Sequence, residues 1–336
     1  MNFRFIFAYL PYLLAVFAVA FYIIPSRYRV RAQAIWAMVI LLAASKFTCF
    51  AVLGGDLFEP HLSAPVIWTW DFVYSGMVLL TGLSFLWCLV TVPRRDLRDR
   101  WAPCMRVILP IVAWSLSAWG VWCGIRPPVV TRVEFDYPDL PESLDGYRIV
   151  QLSDLHISSA APKWRTEEIV ARVNALKPDL VCLTGDIADG QVAHLWRDVM
   201  PLKGLTARDG LYAVTGNHEY YVDWFHWRDV FARCGFVFLQ NECVTPRAGL
   251  ALAGVNDIAC EMVHSCHMPD VKLAFASETN GAFRVLLKHR PEFARHYAAK
   301  AKLLLSVIVF PGFNAVWVRG SLTVPSITPV ETKTPP

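Results

Sequence analysis

Apolar residues run along this chain in two different rhythms. Up to about residue 125 they form long, nearly unbroken stretches: Phe3 to Ile24, Ala32 to Leu53, Val66 to Val92 and Cys104 to Ile125. Each comes close to the roughly 20 residues a helix needs to cross the hydrocarbon of a bilayer, so residues 1–125 read as four transmembrane helices. The first stretch lacks a small-residue cleavage site and three more follow it, which argues against a signal peptide. Lys46 interrupts the second stretch, and there it must snorkel or face a partner helix.

From Tyr147 the rhythm shortens. Runs of four to six apolar residues alternate with amphipathic segments, the mark of an α/β domain. Strands are predicted at 147–152, 179–184, 211–215, 236–240, 250–255 and 283–288, and helices at 163–176, 222–233 and 291–299. Residues 126–146 form a Pro-containing linker with a first strand in "VTRVEFDY". The α/β domain covers 147–308, and the atypical Pro/Thr-rich segment 309–336 reads as a disordered tail.

Composition sharpens this picture. Hydrophobic residues make up 55% of the 336 and charged residues 18%, a balance too apolar for an ordinary soluble protein. The net charge of +4 comes with no basic run, which excludes nucleic acid as a partner and leaves the bilayer. Arg27, Arg29 and Arg31 follow the first stretch, and Arg94, Arg95, Arg98, Arg100 and Arg106 follow the third. The loop between the second and third carries Asp56 and Glu59 and no cation. By the positive-inside rule the N-terminus and everything after the fourth stretch lie outside the cytoplasm, in a multi-pass protein of the cell (inner) membrane. Arg126 and Arg132 pull weakly the other way. Of nine cysteines, four lie in or beside the apolar stretches and Cys182 sits mid-strand. Cys234–Cys243 and Cys260–Cys266 are both open as disulfides.

The strands end in chemistry. "YRIVQLSDLHIS" delivers Asp154 and His156, which an extended backbone would point the same way, with Leu155 toward the core. "DLVCLTGD" delivers Asp186, "LYAVTGNHE" delivers Asn217, His218 and Glu219, and "FRVLLKH" delivers His289. Singly, each is more often a turn or cap residue. Four strands ending this way, two through a Thr-Gly-(Asp/Asn) turn, point instead to a ligand site beyond the carboxyl ends of a sheet. Carboxylate, imidazole and amide oxygen together suit Mn, Fe or Zn.

The ordered series "SDLH", "TGDIAD", "TGNHE" and His289 resembles the calcineurin-like metallophosphoesterases, most closely their membrane-anchored bacterial branch, over roughly residues 130–300. The resemblance implies two packed β-sheets flanked by helices, with two divalent metal ions at the strand ends. It implies that Asp154 and His156 bind the first ion, that Asp186 bridges, and that Asn217 and His289 bind the second. It makes His218 the catalytic group that protonates the leaving oxygen and Asp189 the carboxylate that orients it. The implied reaction is hydrolysis of a phosphomonoester or phosphodiester by a two-metal-activated hydroxide. The membrane anchor adds a lipid or envelope precursor as substrate. A different class, a non-catalytic membrane-anchored binding or vestigial module, is the alternative. A transporter-like role for the spans is disfavoured by their few ionisable groups, Lys46 and Asp71.

The chain departs from the family at one point. A Gly-His-x-His loop should follow the strand after His289, but "AAKAKLLLSVIVFPGFNAVWVRGS" contains none, and no histidine follows His296. A short deletion or a shift of reading frame near Lys300 would each produce this. Each ion would lose a ligand, and loss of outer-shell partners alone costs about 10–100-fold, so impaired activity is expected. Stand-ins are weak. His264 and His267 in "EMVHSCHMPD" fit no zinc spacing and read as a surface loop. His226 reads as a helix-face residue, His61 lies in an outer loop, and His194 and His296 read as helix-surface positions.

Overall fold

The computed structural model describes residues 59–263, 266–278, 281–291, 300–306 and 321–328. The expected spans at 3–24 and 32–53, with Lys46, lie outside the described residues. So do His264, His296 and most of the predicted helix 291–299. The chain divides into two units, 1–125 and 126–336.

In the first unit, two helices are long and apolar enough to cross a membrane: α1 (Ala64–Thr91) and α2 (Arg95–Ile125). Two spans are therefore seen among the described residues where the sequence reading counted four. At 1.5 Å per residue each helix exceeds the hydrocarbon thickness. Their outer faces present Phe85, Leu86, Leu89, Ile111, Leu116 and Trp119 to the surroundings. The helices meet through Leu80 and Ala113. Gly76 has no side chain because the Trp114 ring fills the space a Cβ would need. Ser117 Oγ donates to the Phe72 carbonyl across the pair at 2.7 Å, the kind of interhelical bond a hydrocarbon environment favours.

The second unit is built on two sheets. The first contains β1 (Val130–Asp136), β2 (Tyr147–Ser153), β3 (Leu180–Thr184), β4 (Leu211–Val214) and β5 (Phe236–Phe238). The second contains β6 (Glu242–Arg247), β7 (Leu250–Gly254), β8 (Phe283–Leu287) and β9 (Leu303–Leu305), with β7, β8 and β9 parallel. A last strand, β10 (Ser321–Thr328), completes the first sheet in the order β1-β10-β2-β3-β4-β5. This differs from the expected disordered tail. The segment alternates Leu322 and Val324 with polar residues, but Pro325 masks the signal. Its antiparallel ladder to β2 breaks around Val324 and Pro325, where proline has no N–H to give.

Parallel inner strands must be apolar on both faces, and β2 obeys. Val150 and Leu152 pack toward α3 (Lys163–Ala175), α4 (Val192–Val199) and α6 (Trp224–Arg233), in a core with Ile169, Val173, Leu183, Val199, Trp227 and Phe231. Tyr147 and Ile149 point the other way, into the layer between the sheets with Leu180, Cys182, Leu252, Val285 and Leu287. Each such buried aliphatic side chain contributes about 1.5–3 kcal/mol. The aromatic run after His218 is mostly packing. Tyr220 and Trp224 are buried with Ala259 and Cys260, and Trp227 Nε1 donates to the Gly190 carbonyl at 2.7 Å. The eight described cysteines are free thiols.

Candidate metal centre

The sheet brings the carboxyl ends of β2, β3 and β4 side by side, and the loops beyond them continue the pairing. Asp154 N donates to the Gly185 carbonyl (3.1 Å), His156 N to Asp186 O (3.0 Å) and Ile157 N to Ile187 O (2.9 Å). Asp154 and His156 do converge, though not by strand alternation: β2 stops at Ser153 and both residues are left-handed, at φ 53° and 43°. Asp186 is left-handed too, at φ 52°. Such conformations cost about 1–3 kcal/mol each and persist only where the surroundings enforce them. Leu155 between Asp154 and His156 is fully buried, as the sequence suggested. The buried Arg165 donates from Nη1 to the Leu155 carbonyl at 2.9 Å and pins that loop.

The two Thr-Gly turns fit against each other. A Cβ on Gly185, at φ 93°, would lie 2.5 Å from Gly216 N and 2.7 Å from His289 Nδ1. One on Gly216 would collide with the Asp186 carboxylate. Glu219 ties the turns together from α5 (Asn217–Val222). Its carboxylate accepts from Gly216 N (2.7 Å), Asp186 N (3.0 Å) and Ile187 N (2.7 Å). Sequence reasoning delivered Glu219 to the strand end but gave it no role. The available signal was its position three residues after Gly216, the spacing of a capping box. Burial, reinforced by the Asp186 charge, pushes the Glu219 carboxyl up.

Three imidazoles surround one carboxylate oxygen. The Nε2 atoms of His156, His218 and His289 lie 3.8, 3.8 and 3.4 Å from Asp186 Oδ2. Asp154 Oδ1 stands 3.8 Å from His156 Nε2. The opposite ring nitrogens are held. Asp189 Oδ1 lies 2.6 Å from His156 Nδ1 and 2.8 Å from His218 Nδ1, and the Thr184 carbonyl lies 2.7 Å from His289 Nδ1. A carboxylate or carbonyl at Nδ1 fixes the tautomer that leaves Nε2 free to ligate. Two overlapping ligand groups result, His156–Asp186–His218 and Asp154–Asp186–His289, each with ligand atoms within 4.8 Å of one another. Asp186 belongs to both. The grouping differs from the implied one, because His218 joins His156 and Asp154 joins His289. Asn217 is the half-buried first residue of α5, between Gly216 and His218.

Electrostatics follow the same layout. Burial opposes the Asp186 charge, but His289 first, then His156 and His218, bring its carboxyl down to about 2. Asp189 falls well below the usual carboxylate range, held against burial by His156 and His218. Burial opposes the imidazolium of His289, but Asp186 and Asp154 lift it to about 9. His156 and His218 are raised, against burial, by Asp189 with Asp154 and Asp186. Clustered carboxylates thus favour positive charge where the three Nε2 atoms converge, the potential that a bound cation would meet. A mixed nitrogen and oxygen donor set of this kind fits first-row divalent ions.

The other described histidines belong to neither ligand group. His226, on α6, is exposed and pairs with Asp223 at 2.5 Å. His194, on α4, and His267 are exposed, as is His61 in the first unit. On the β8 side, Ser306 Oγ donates to the His289 carbonyl at 2.7 Å. The chain therefore leaves β9 directly beside the centre, at the point where the absent Gly-His-x-His would begin. Residues 307–320 lie outside the described residues.

Residues 147–320 match the profile of the calcineurin-like phosphoesterases. A zebrafish (Danio rerio) "transmembrane protein with metallophosphoesterase domain" is 30% identical over 78% of this chain and 64% of its own length. Its bovine (Bos taurus) counterpart is 31% identical over the same shares. The chain spans just under two thirds of the length of these animal relatives. The "UDP-2,3-diacylglucosamine pyrophosphatase LpxG" of Chlamydia trachomatis is 30% identical over 41% of each chain.

Proposed function

The chain belongs to the calcineurin-like phosphoesterase family, and from that we propose that it is a membrane-anchored, metal-dependent hydrolase of phosphomonoesters or phosphodiesters whose turnover is reduced by the missing histidine loop. The observation that carries the reading is Asp186, shared by two ligand groups and ringed by three Nε2 atoms.

Asp154, His156, Asp186, Asn217 and His289 would hold two divalent ions of the Mn, Fe or Zn type. When bound, such ions supply Lewis acidity toward phosphoryl oxygens and lower the pKa of a water. The protein's own work lies around them. Asp189 holds His156 and His218 through one oxygen, so both imidazoles keep their Nε2 atoms inward. His218, whose pKa Asp189 raises against burial, would give its Nε2 proton to the departing alkoxide oxygen. Glu219 and the two glycines fix the turns so that these groups need not reorganise. The lost Gly-His-x-His would remove one donor from each ion and leave a weaker centre.

Location supports a substrate class. Apolar helices would anchor the chain, loop charge by the positive-inside rule would put the domain outside the cytoplasm, and the chlamydial relative is named for a diacylated sugar nucleotide. An amphiphilic phosphate ester, a lipid or envelope precursor, fits all three. The missing loop also supports a second reading, a non-catalytic module that keeps the fold. Full-length protein assayed with Mn²⁺ and a chromogenic phosphodiester separates them. The enzyme reading requires retained metal and turnover that Asp186→Ala abolishes; a chain that retains no metal and shows no turnover belongs to the second reading.

A further inference from the structure

Away from the metal centre, the segment from Cys260 to Met268 gathers chemistry that phosphate ester hydrolysis does not use. In the fold, Cys260 Sγ and Met268 Sδ meet, and Cys266 Sγ lies near the same His267 carbonyl. Cys260 is fully buried in the 3₁₀ turn Ile258–Met262. Its Sγ lies 3.8 Å from Met268 Sδ and 3.3 Å from the His267 carbonyl oxygen. Cys266, half-buried, places its Sγ 3.9 Å from the same carbonyl and 3.4 Å from Tyr220 Oη. The backbone at His267 and Met268 is pinned by side-chain amides. Asn256 Nδ2 donates to the His267 carbonyl and Asn241 Nδ2 to the Met268 carbonyl, both at 2.8 Å. Asp270 N donates to Asn241 Oδ1 at 2.9 Å. Both asparagines are themselves buried, 2% and 6% exposed. A loop end held by two buried amides is ordered before any ligand arrives.

We propose that Cys260, Cys266 and Met268 form a binding site for one soft monovalent cation of the copper(I) or silver(I) type. Sulfurs bonded at about 2.3 Å to one tetrahedral ion stand about 3.8 Å apart, the separation Cys260 and Met268 already have. A thioether beside two thiols selects soft ions and disfavours Mn, Mg and Ca, which take oxygen. Binding releases the two thiol protons to solvent as the ion takes their place. Burial, then the neighbouring Cys266 thiol, pushes Cys260 up to about 12 in the ion-free protein. Uptake therefore strengthens as pH rises. The site also touches the hydrolytic half of the fold, because Tyr220 Oη bonds Thr215 Oγ1 at 2.8 Å, one residue before Gly216.

The test is anaerobic copper(I) titration of the full-length, reduced, metal-free protein in detergent against a chromogenic copper(I) chelator. One ion per chain is expected. Cys260→Ser and Cys266→Ser should each weaken it by about 100-fold or more, and Met268→Leu by about 10-fold. Cys104→Ser, on α2, should leave it unchanged. Met268 is exposed, so its variant reports even if Cys260→Ser fails to fold. Equal uptake by the wild type and the Cys260→Ser/Cys266→Ser double variant, or no uptake at all, overturns the site and leaves the sulfurs as packing. Neither result bears on phosphate ester hydrolysis.

Discussion

The two sheets contribute to the metal centre very unequally. The first sheet supplies Asp154, His156, Asp186, Asp189 and His218, cross-linked by Glu219, Arg165 and two glycine turns into a closed network. The second supplies His289, tied back by the Thr184 carbonyl and by Ser306, and its next loop lacks the family's histidines. A ligand set embedded in mutual hydrogen bonds survives the loss of a neighbouring loop, because each member is oriented by the others. His289 has fewer such ties: its ring meets the Thr184 carbonyl and its own carbonyl meets Ser306.

The largest effect should come from the residue both halves share. Asp186→Ala removes the oxygen on which three imidazoles converge, and metal affinity measured by calorimetry with Mn²⁺ should fall by about 100-fold or more. Retained affinity would mean that the two ligand groups are not one centre. Next, inserting Gly-His-x-His directly after Ser306 should raise metal occupancy and phosphodiester turnover by about 10–100-fold. No gain would show that the second half is limited by something besides missing donors.

Within the first sheet's network, Gly216→Ala drives a methyl into the Asp186 carboxylate and should lower stability by about 1–3 kcal/mol in thermal or denaturant unfolding. Glu219→Gln keeps the shape but replaces one of two accepting oxygens with an NH₂ that faces a backbone N–H, costing about 1–3 kcal/mol. A neutral result at either position would mean that the turns are held by the sheet alone.

The last test is a pH dependence. The folded pKa of His289 is about 9, against about 6.5 for a free histidine. Its protonation therefore stabilises the metal-free protein fully below about pH 6.5, and that contribution is lost as pH rises to about 9. The melting temperature in chelator should drop across this window, while Mn²⁺ affinity climbs as the competing proton leaves. His289→Asn should flatten the melting curve's dependence on pH.

Much of this was legible in local sequence. The strand ends of β2, β3, β4 and β8 announced Asp154, His156, Asp186, Asn217, His218 and His289 as residues of the loops beyond them, because apolar runs and Thr-Gly turns act over a few residues. The left-handed backbone at Asp154 and His156 was not legible. Neither residue type demands it, and the pairing with the β3 loop imposes it. Glu219 carried only the faint signal of capping-box spacing, since its partners Asp186 and Ile187 are more than thirty residues away. The strand at 321–328 was hidden by Pro325 and by having its partners, β1 and β2, far upstream.

By itself, the sequence determined which side chains the protein can bring to a strand end, that long apolar stretches precede an α/β domain, and that two family histidines are missing. Those are properties of periodicity and residue type, and they need no neighbours. The tertiary structure alone decided that Asp186 belongs to both candidate ligand groups, that Asp189 lies against two rings at once, and that Cys260 Sγ meets Met268 Sδ. Such contacts join residues distant along the chain, and only packing fixes the distance between them.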